Sequence, residues 1–502
     1  MLRSIRHSWR LIVIAWRLVR EGALLPFEHL RIPQPVIRAA RALARPGARE
    51  NPAERLAEAM VALGPTFVKF GQSLATRPDL ISEPTADALA QLQDRVPPFS
   101  GAHARALIEQ DLERPIAELF AEFDDEPVAA ASIAQVHFAC TAEGDAVAVK
   151  VLRPNIERAV ERDLDLFLWL AEWLERLVPR ARRLKPRAVV RTFAWSTRNE
   201  LDLRLEAAAA AELTKNFRDQ THYHVPRVDW QRSGRRVLTL ERVTGVPVDQ
   251  RSRLVAAGHD PDRILAISAE IFFEQVFRDG FFHGDMHPGN AFVDAEGRIC
   301  PVDFGIMGRL DAPTRRMLAE VLIAFLQRDY GRVAELIFTA GWVPPDQDRM
   351  NFMQAIRAIA EPILDRPLAD ISLGRVLGQL LSVTETFQME TQTQLLLLQK
   401  TMVVAEGVGR KLNPRVNMWQ VTQPLIEEWI VANLGPEAQL RAAAAEGWNT
   451  LRRVPSTLAK LERQLDLMAP HPVQRATSTL QSAALWLILG LALGLLLARC
   501  DF

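Results

Sequence analysis

The stretch HGDMHPGN, His283 to Asn290, with VDFG, Val302 to Gly305, following closely behind it, constrains this chain more than any other feature. A helical run, AEIFFEQVFRDGFF, leads into it, and AFVDAEGRICPVDF joins its two parts. The joining segment is two short apolar runs around an Ala-Glu-Gly turn, which predicts a β-hairpin. Asp285, Asn290 and Asp303 then stand on rigid turns as a carboxylate, an amide and a second carboxylate. Hard oxygen donors of this kind suit Mg²⁺, which keeps company with phosphates. His283 and His287 flank Asp285 and could instead ligate a transition metal, but no further cluster of His or Cys supports that.

An Asp-x4-Asn loop, a hairpin and Asp-Phe-Gly, in that order, is how kinase-like folds place a catalytic Asp, a metal-binding Asn and the main metal-binding Asp. His283 fills the place of the usual loop histidine, and Gly284 stands where an arginine usually follows. Upstream, AVAVKVL reads as a strand carrying Lys150, which would sit against the α- and β-phosphates. A lysine in that place needs a carboxylate to hold it. NELDLRLEAAAAAEL, from Asn199, is a strong helix former. Asp202 and Glu206 are four apart and share a face while Glu200 points elsewhere, so Glu206 is the expected partner of Lys150.

The loop before that strand is AAASIAQVH, Ala129 to His137. Phosphate loops are normally built from glycine, yet this one is built from alanine. Ala129, Ala130, Ala131, Ser132, Ile133, Ala134, Gln135 and Val136 are its candidate nucleotide-binding residues. A Cβ penalises positive φ and keeps the backbone a little away from phosphates. Such a loop is expected to hold the γ-phosphate differently, with slow phosphoryl transfer and good ADP binding. TLERVTG, Thr239 to Gly245, is a candidate hinge, with Glu241 in the backbone stretch expected to contact adenine. After VDFG the chain runs almost directly into a helix at DAPTRRML, with Asp311 as cap and Pro313 in the first turn. The platform that docks a peptide substrate is therefore expected to be missing.

LGPTFVKFGQSLATRPDL, Leu63 to Leu80, completes a resemblance covering roughly residues 55–420. With its KxGQ motif (Lys69, Gly71, Gln72), the alanine loop and the ExD motif at Glu200 and Asp202, the chain resembles the UbiB family of atypical protein-kinase-like ATPases, relatives of the mitochondrial ADCK proteins. The resemblance implies an α+β, bilobal protein-kinase-like fold with the KxGQ helices lying across the active site. It implies that Lys69 approaches Glu200, that Gln72 belongs to the same regulatory lid, and that Asp202 faces the nucleotide and metal. It also implies that Asn290 and Asp303 bind Mg²⁺, that ATP or ADP is the nucleotide, and that Asp285 stands at the catalytic base position. The implied role is support of ubiquinone biosynthesis at the membrane, by ATP hydrolysis or phosphorylation of a lipid or small molecule rather than of protein. Membrane lipid and quinone-biosynthesis proteins or intermediates are the implied partners. Aminoglycoside- and choline-kinase-type phosphotransferases share the HGDxHPxN loop, so the KxGQ block, alanine loop and terminal apolar run are what set this chain apart. A nucleotide-gated scaffold is a third reading, although intact Lys150, Asp285, Asn290 and Asp303 speak against lost nucleotide binding.

Lys+Arg and Asp+Glu each number 61, so the formal net charge is zero, which argues against a nucleic-acid binder. Cys140, Cys300 and Cys500 are too far apart for a zinc ribbon or a disulfide framework. The expected organisation is a basic amphipathic region at 1–50, a KxGQ helical extension at 51–125, an N-lobe with a helical insertion at 126–245, a helical C-lobe at 246–475, and a membrane helix at 480–498. In the first block Arg3, Arg6, Arg10, Arg17 and Arg20 share one helical arc beside a stripe of Leu2, Ile5, Trp9, Ile12 and Trp16. That pattern fits either a membrane surface or docking on the protein's own core. At the other end Ala483 to Ala498 carries no charge. Such a helix spans about 24 Å, and Leu480 to Ser482 bring it near the ~30 Å hydrocarbon core. Gly490 and Gly494 make a GxxxG spacing through which two copies could pair as a homodimer. Arg452, Arg453, Lys460, Arg463 and Arg475 upstream would keep the catalytic domain on the cytoplasmic side of the cell inner membrane.

Overall fold

A computed structural model describes residues 2–20, 52–75, 97–177, 186–364 and 393–413, with isolated positions between them. All of these fall in Met1–Glu427, one of the chain's two compact units. The other, Glu428–Phe502, lies outside the described residues, and the expected membrane helix and GxxxG pair lie there with it. No helix among the described residues is long and apolar enough to cross a membrane.

The N-lobe is built on an antiparallel sheet of five strands: β1 (Phe120–Phe123), β2 (Ala129–Ala130), β3 (Ala134–Thr141), β4 (Ala146–Leu152) and β5 (Val237–Glu241). Their order is β1-β3-β4-β5, with β2 paired to β3. The sheet thus begins before residue 126, inside the stretch expected to be purely helical. Strand alternation decides where Lys150 goes. Val147, Val149 and Val151 of β4 are buried on one face, against Ile108. Ile108 belongs to helix Gly101–Leu112. Lys150, between two of these valines, is carried to the opposite face.

In chain order the described helices begin with α1 (Leu2–Arg20), α2 (Pro52–Leu63), α3 (Pro65–Ala75) and α4 (Gly101–Leu112), with one turn, α5 (Ile116–Leu119), before β1. The helical insertion is α6 (Ile156–Leu177) and α7 (Pro186–Glu200), followed by α8 (Leu203–Asn216). The run expected as one helix from Asn199 is broken between α7 and α8. Asp202 caps α8, its carboxylate accepting from the Arg204 N–H at 3.2 Å. Aspartate favours that local bond over helix continuation. Leu203, Glu206, Ala207, Ala210 and Leu213 form the buried stripe of α8.

The KxGQ helix α3 packs on the insertion through aromatic contacts. Phe67 meets Phe167 at 5.0 Å between ring centroids, and Phe70 meets Phe193 at 5.3 Å. Of the two readings of residues 1–20, the structure shows docking on the protein's own core. Ile14 is buried, and Arg10 turns inward to pair with Asp163 at 3.1 Å. Ile12 and Trp16, from the apolar stripe, are exposed instead.

In the C-lobe, β6 (Val246–Pro247) pairs with β8 (Ala291–Val293), and α9 (Arg251–Ala256) precedes α10 (Pro261–Phe273). A π-helical turn, Glu274–Asp279, prolongs α10 and stops at Gly280, whose φ is 65°. There β7 (Phe281–His283) begins, paired antiparallel with β10 (Met307–Arg309). The expected hairpin is β8 with β9 (Ile299–Pro301). Asp311 caps α11 (Ala312–Leu326) as expected, accepting from Thr314 N–H at 2.9 Å. Then come α12 (Tyr330–Thr339), α13 (Arg349–Leu364) and α14 (Thr393–Leu412).

Candidate active site

Lys150, from β4, reaches across the cleft and donates to both carboxylate oxygens of Glu206 on α8, at 2.7 and 2.9 Å. The same ammonium donates to Asp303 Oδ1 at 3.1 Å, so one cation serves two carboxylates. Glu206 is buried, and its Oε1 also accepts from the Phe304 N–H at 3.3 Å. Asp303 is 43% exposed and faces the cleft, steadied by the Gly305 N–H at 3.1 Å. Burial pushes the Glu206 carboxyl up to about 7, against the pull of Lys150. Burial opposes the charge on Lys150, yet Asp303 and Glu206 outweigh it and hold the ammonium above the ordinary lysine value. Burial likewise works against the Asp303 carboxylate, but Lys150 overcomes it and holds that group well below the usual range.

The loop between β7 and β8 carries the other predicted residues. His283 is buried, and burial lowers its pKa, so the ring is neutral. Its Nδ1 accepts from the Asp285 N–H at 3.1 Å, which leaves Nε2 to donate to the Asp303 carbonyl. With both ring nitrogens committed to backbone, His283 ties the two loops together and is no metal ligand. His287 is exposed and caps the next turn, its Nδ1 accepting from the Gly289 N–H at 3.2 Å. Asn290 gives its amide nitrogen to the Asp285 carbonyl at 3.1 Å, which leaves Oδ1 as an acceptor. Asn290 Oδ1 and the Asp303 carboxylate are hard oxygen donors and fit Mg²⁺, which typically takes one or two protein oxygens and completes its shell with water and phosphate.

The lid residues also meet: Lys69 on α3 pairs with Glu200 at 2.9 Å, both side chains largely buried at 16% and 15% exposure. Gln72 lies on the same helix. Asp202 caps its own helix and pairs with the Arg204 guanidinium at 2.6–2.8 Å.

The alanine loop is a β-hairpin, with Ala129 opposite Val136 and Ala130 opposite Gln135. None of its residues adopts a positive φ, so nothing in the turn demands glycine. The Ala131 carbonyl accepts from Arg153 Nε and Nη2 at 3.0 and 2.9 Å, and Arg153 Nη1 reaches the Pro97 carbonyl at 2.9 Å. Gln135 is likewise committed, exchanging hydrogen bonds with the Phe99 backbone at 3.0 and 3.1 Å. The Ser132 hydroxyl is buried without a hydrogen-bond partner. Glu241 turns its carboxylate to His224, at 3.1 Å, and its N–H donates to Arg227 O at 2.9 Å.

One partner of the catalytic loop carries no motif of its own in the sequence. Lys400 of α14 donates to Asp285 Oδ1 at 2.7 Å. Its only advance sign is Gly284, at the position where an arginine was expected: a Cβ there would stand 2.8 Å from Leu397 of α14.

A strand lysine paired to a helix glutamate, over an Asp-x4-Asn loop and an Asp-Phe-Gly turn, defines a protein-kinase-like fold and site. Residues 91–337 match the ABC1 atypical kinase-like domain, and residues 356–417 match the UbiB helical domain. A Marinobacter nauticus protein named "Probable protein kinase UbiB" is 45% identical over 393 residues, 78% of this chain and 72% of that one. The chain belongs to the UbiB family of ABC1 kinase-like proteins. Among solved structures, the Rv3197–erythromycin complex from Mycobacterium tuberculosis is 26% identical, with a TM-score of 0.48 over 70% of this chain and 90% of that one. WbdD is 15% identical, with a TM-score of 0.21 over 58% and 50%.

Proposed function

We propose that this protein is a Mg²⁺-dependent ATPase or phosphotransferase that supports ubiquinone biosynthesis at a membrane. The observation that carries the reading is Lys150 held between Glu206 and Asp303, beside the loop of Asp285 and Asn290. Lys150 binds the α- and β-phosphates and Glu206 orients it. Asn290 and Asp303 hold the metal, which when bound supplies neutralising charge for the phosphates. Asp285 takes the proton of the attacking hydroxyl or water. The orphaned Ser132 hydroxyl sits in the loop assigned to the nucleotide, and a buried donor left unmade costs about 1–3 kcal/mol.

The Marinobacter relative is named a probable protein kinase. For this chain a lipid or other small acceptor, or water, is favoured over a protein. Only the short strand β10 stands between Gly305 and α11, leaving little chain for a peptide platform. Membership of the UbiB family supports the ubiquinone role, and the apolar run at 483–498 supports the membrane. The test is nucleotide binding and turnover. MgADP should raise the melting temperature of the wild type but not of Asp303→Asn, and Asp285→Asn should lose ATP hydrolysis. Undiminished MgADP stabilisation in Asp303→Asn would defeat the metal assignment. Deleting the gene should cause early quinone precursors to accumulate, and an unchanged quinone pool would defeat the biosynthetic role.

A further inference from the structure

Asp285 and Lys400 are 115 residues apart in the chain, yet both sides of their contact are built with care. Helix α14 seats on the strand pair beside the catalytic loop. Its Leu395 and Leu398 are buried with Val276, Phe282 and Leu310. Leu397 lies against Gly284, immediately before Asp285, so tightly that a Cβ at Gly284 would collide with it. Leu397 and Lys400 are three positions apart and share a helix face. The far end of α14 is fastened as well. Arg251 Nε donates to the Leu412 carbonyl at 2.8 Å, and Asn413 Nδ2 to Asp262 Oδ1 at 2.7 Å. The Asp285 backbone is held by His283 and Asn290. Its carboxylate goes to Lys400.

Resting on the phosphoryl-transfer reading above, we propose that Lys400 is a positioning residue for that reaction, fixing the Asp285 carboxylate in the orientation that accepts the proton. In the transfer, the acceptor oxygen bonds to the γ-phosphorus. The bond from that phosphorus to its bridging oxygen breaks, and the electron pair leaves with ADP. The acceptor's proton passes to Asp285. Lys400 forms no bond and gives no proton; its ammonium keeps a carboxylate on a partly exposed loop in one rotamer, beside a second carboxylate and the phosphates. The pair is 40% and 34% exposed, and ion pairs so placed add little to stability. Its loss is therefore read in turnover and not in melting temperature. The helical domain, on this account, is part of the active site.

The experiment uses the full chain and measures phosphate release from MgATP in the wild type, Asp285→Asn, Lys400→Met, Lys400→Arg and Lys411→Met. Lys411 lies on the same helix and pairs with Asp249 at 3.0 Å rather than with Asp285. Lys400→Met is expected to lower kcat by about 10- to 100-fold, the scale of lost orientation. KM for ATP, MgADP affinity and melting temperature should stay at wild-type values. Lys400→Arg should recover part of the lost kcat, and Lys411→Met should match the wild type. Wild-type or faster turnover in Lys400→Met, alongside an inactive Asp285→Asn, overturns the inference alone. A loss that comes with lower melting temperature or raised KM, or that arginine does not relieve, marks a structural contact and also overturns it. A wild type that releases no phosphate, or an Asp285→Asn variant that keeps full turnover, overturns the phosphoryl-transfer reading and this inference with it.

Discussion

Glu206→Gln tests the electrostatics of the site through the pH dependence of folding. Lys150 serves both Glu206 and Asp303, so one of the two carboxylates is uncompensated when both are ionised. The buried one, Glu206, bears the cost, and its carboxyl rises from 4.5 to about 7. A raised folded-state value favours the protonated form. Its contribution to stability is complete below pH 4.5 and is lost as pH rises through about 7. At about 1.4 kcal/mol per unit, the loss is on the order of 3 kcal/mol. Glutamine does not titrate, so its variant lacks this component while sharing every other acid in the chain. The stability of wild type relative to Glu206→Gln should therefore fall by on the order of 3 kcal/mol between pH 4.5 and pH 8. Urea titrations followed by tryptophan fluorescence at several pH values measure it. A gap that stays constant, or that widens in favour of the wild type as pH rises, would mean that Lys150 outweighs burial, and the reasoning would fail.

Three other perturbations bear on the structure. Lys69→Ala breaks the pair with Glu200 and should cost about 1–2 kcal/mol, between exposed and buried ion pairs, while changing ATPase rate or autophosphorylation; if neither activity moves, the lid role is wrong. Gly308→Ala would put a Cβ 2.1 Å from the buried Phe282 ring, so a loss of at least about 2 kcal/mol and a melting temperature lower by several degrees are expected; wild-type melting would show that β7 and β10 separate easily. Ala131→Gly should loosen the nucleotide hairpin by about 0.5–1 kcal/mol and shift the preference between ADP and ATP in competition binding; an unchanged preference would reduce the alanines to filler.

The parts of the site that local periodicity controls were legible in the sequence. A period of two carries Lys150 away from Val149 and Val151, and helical spacing puts Glu206 on the buried stripe of α8. The hairpin and the Asp311 cap announce themselves through turn and cap chemistry. What escaped depends on packing. High helix propensity around Asn199 hid the break at Asp202, where a capping carboxylate wins over continuation. In α1, helical spacing separates the faces but does not say which one meets the core. Thus Arg10 turned inward and Trp16 outward. Lys400 sits in an apolar helical run with no local mark of its use. Only the close approach of α14 at Gly284 brings it to Asp285.

The pairing of Lys69 with Glu200 also has a consequence for synthesis. Lys69 leaves the ribosome ahead of every other residue of the site, and Lys400 leaves it after all of them. Glu200 can be met by Lys69 before the catalytic loop has been translated, whereas Asp285 waits through the whole of α11 to α13 for its lysine. The chain is therefore born with its restraint in hand and its final catalytic contact still unmade, so a nascent or truncated polypeptide ending before α14 would carry both kinase-like lobes without that contact.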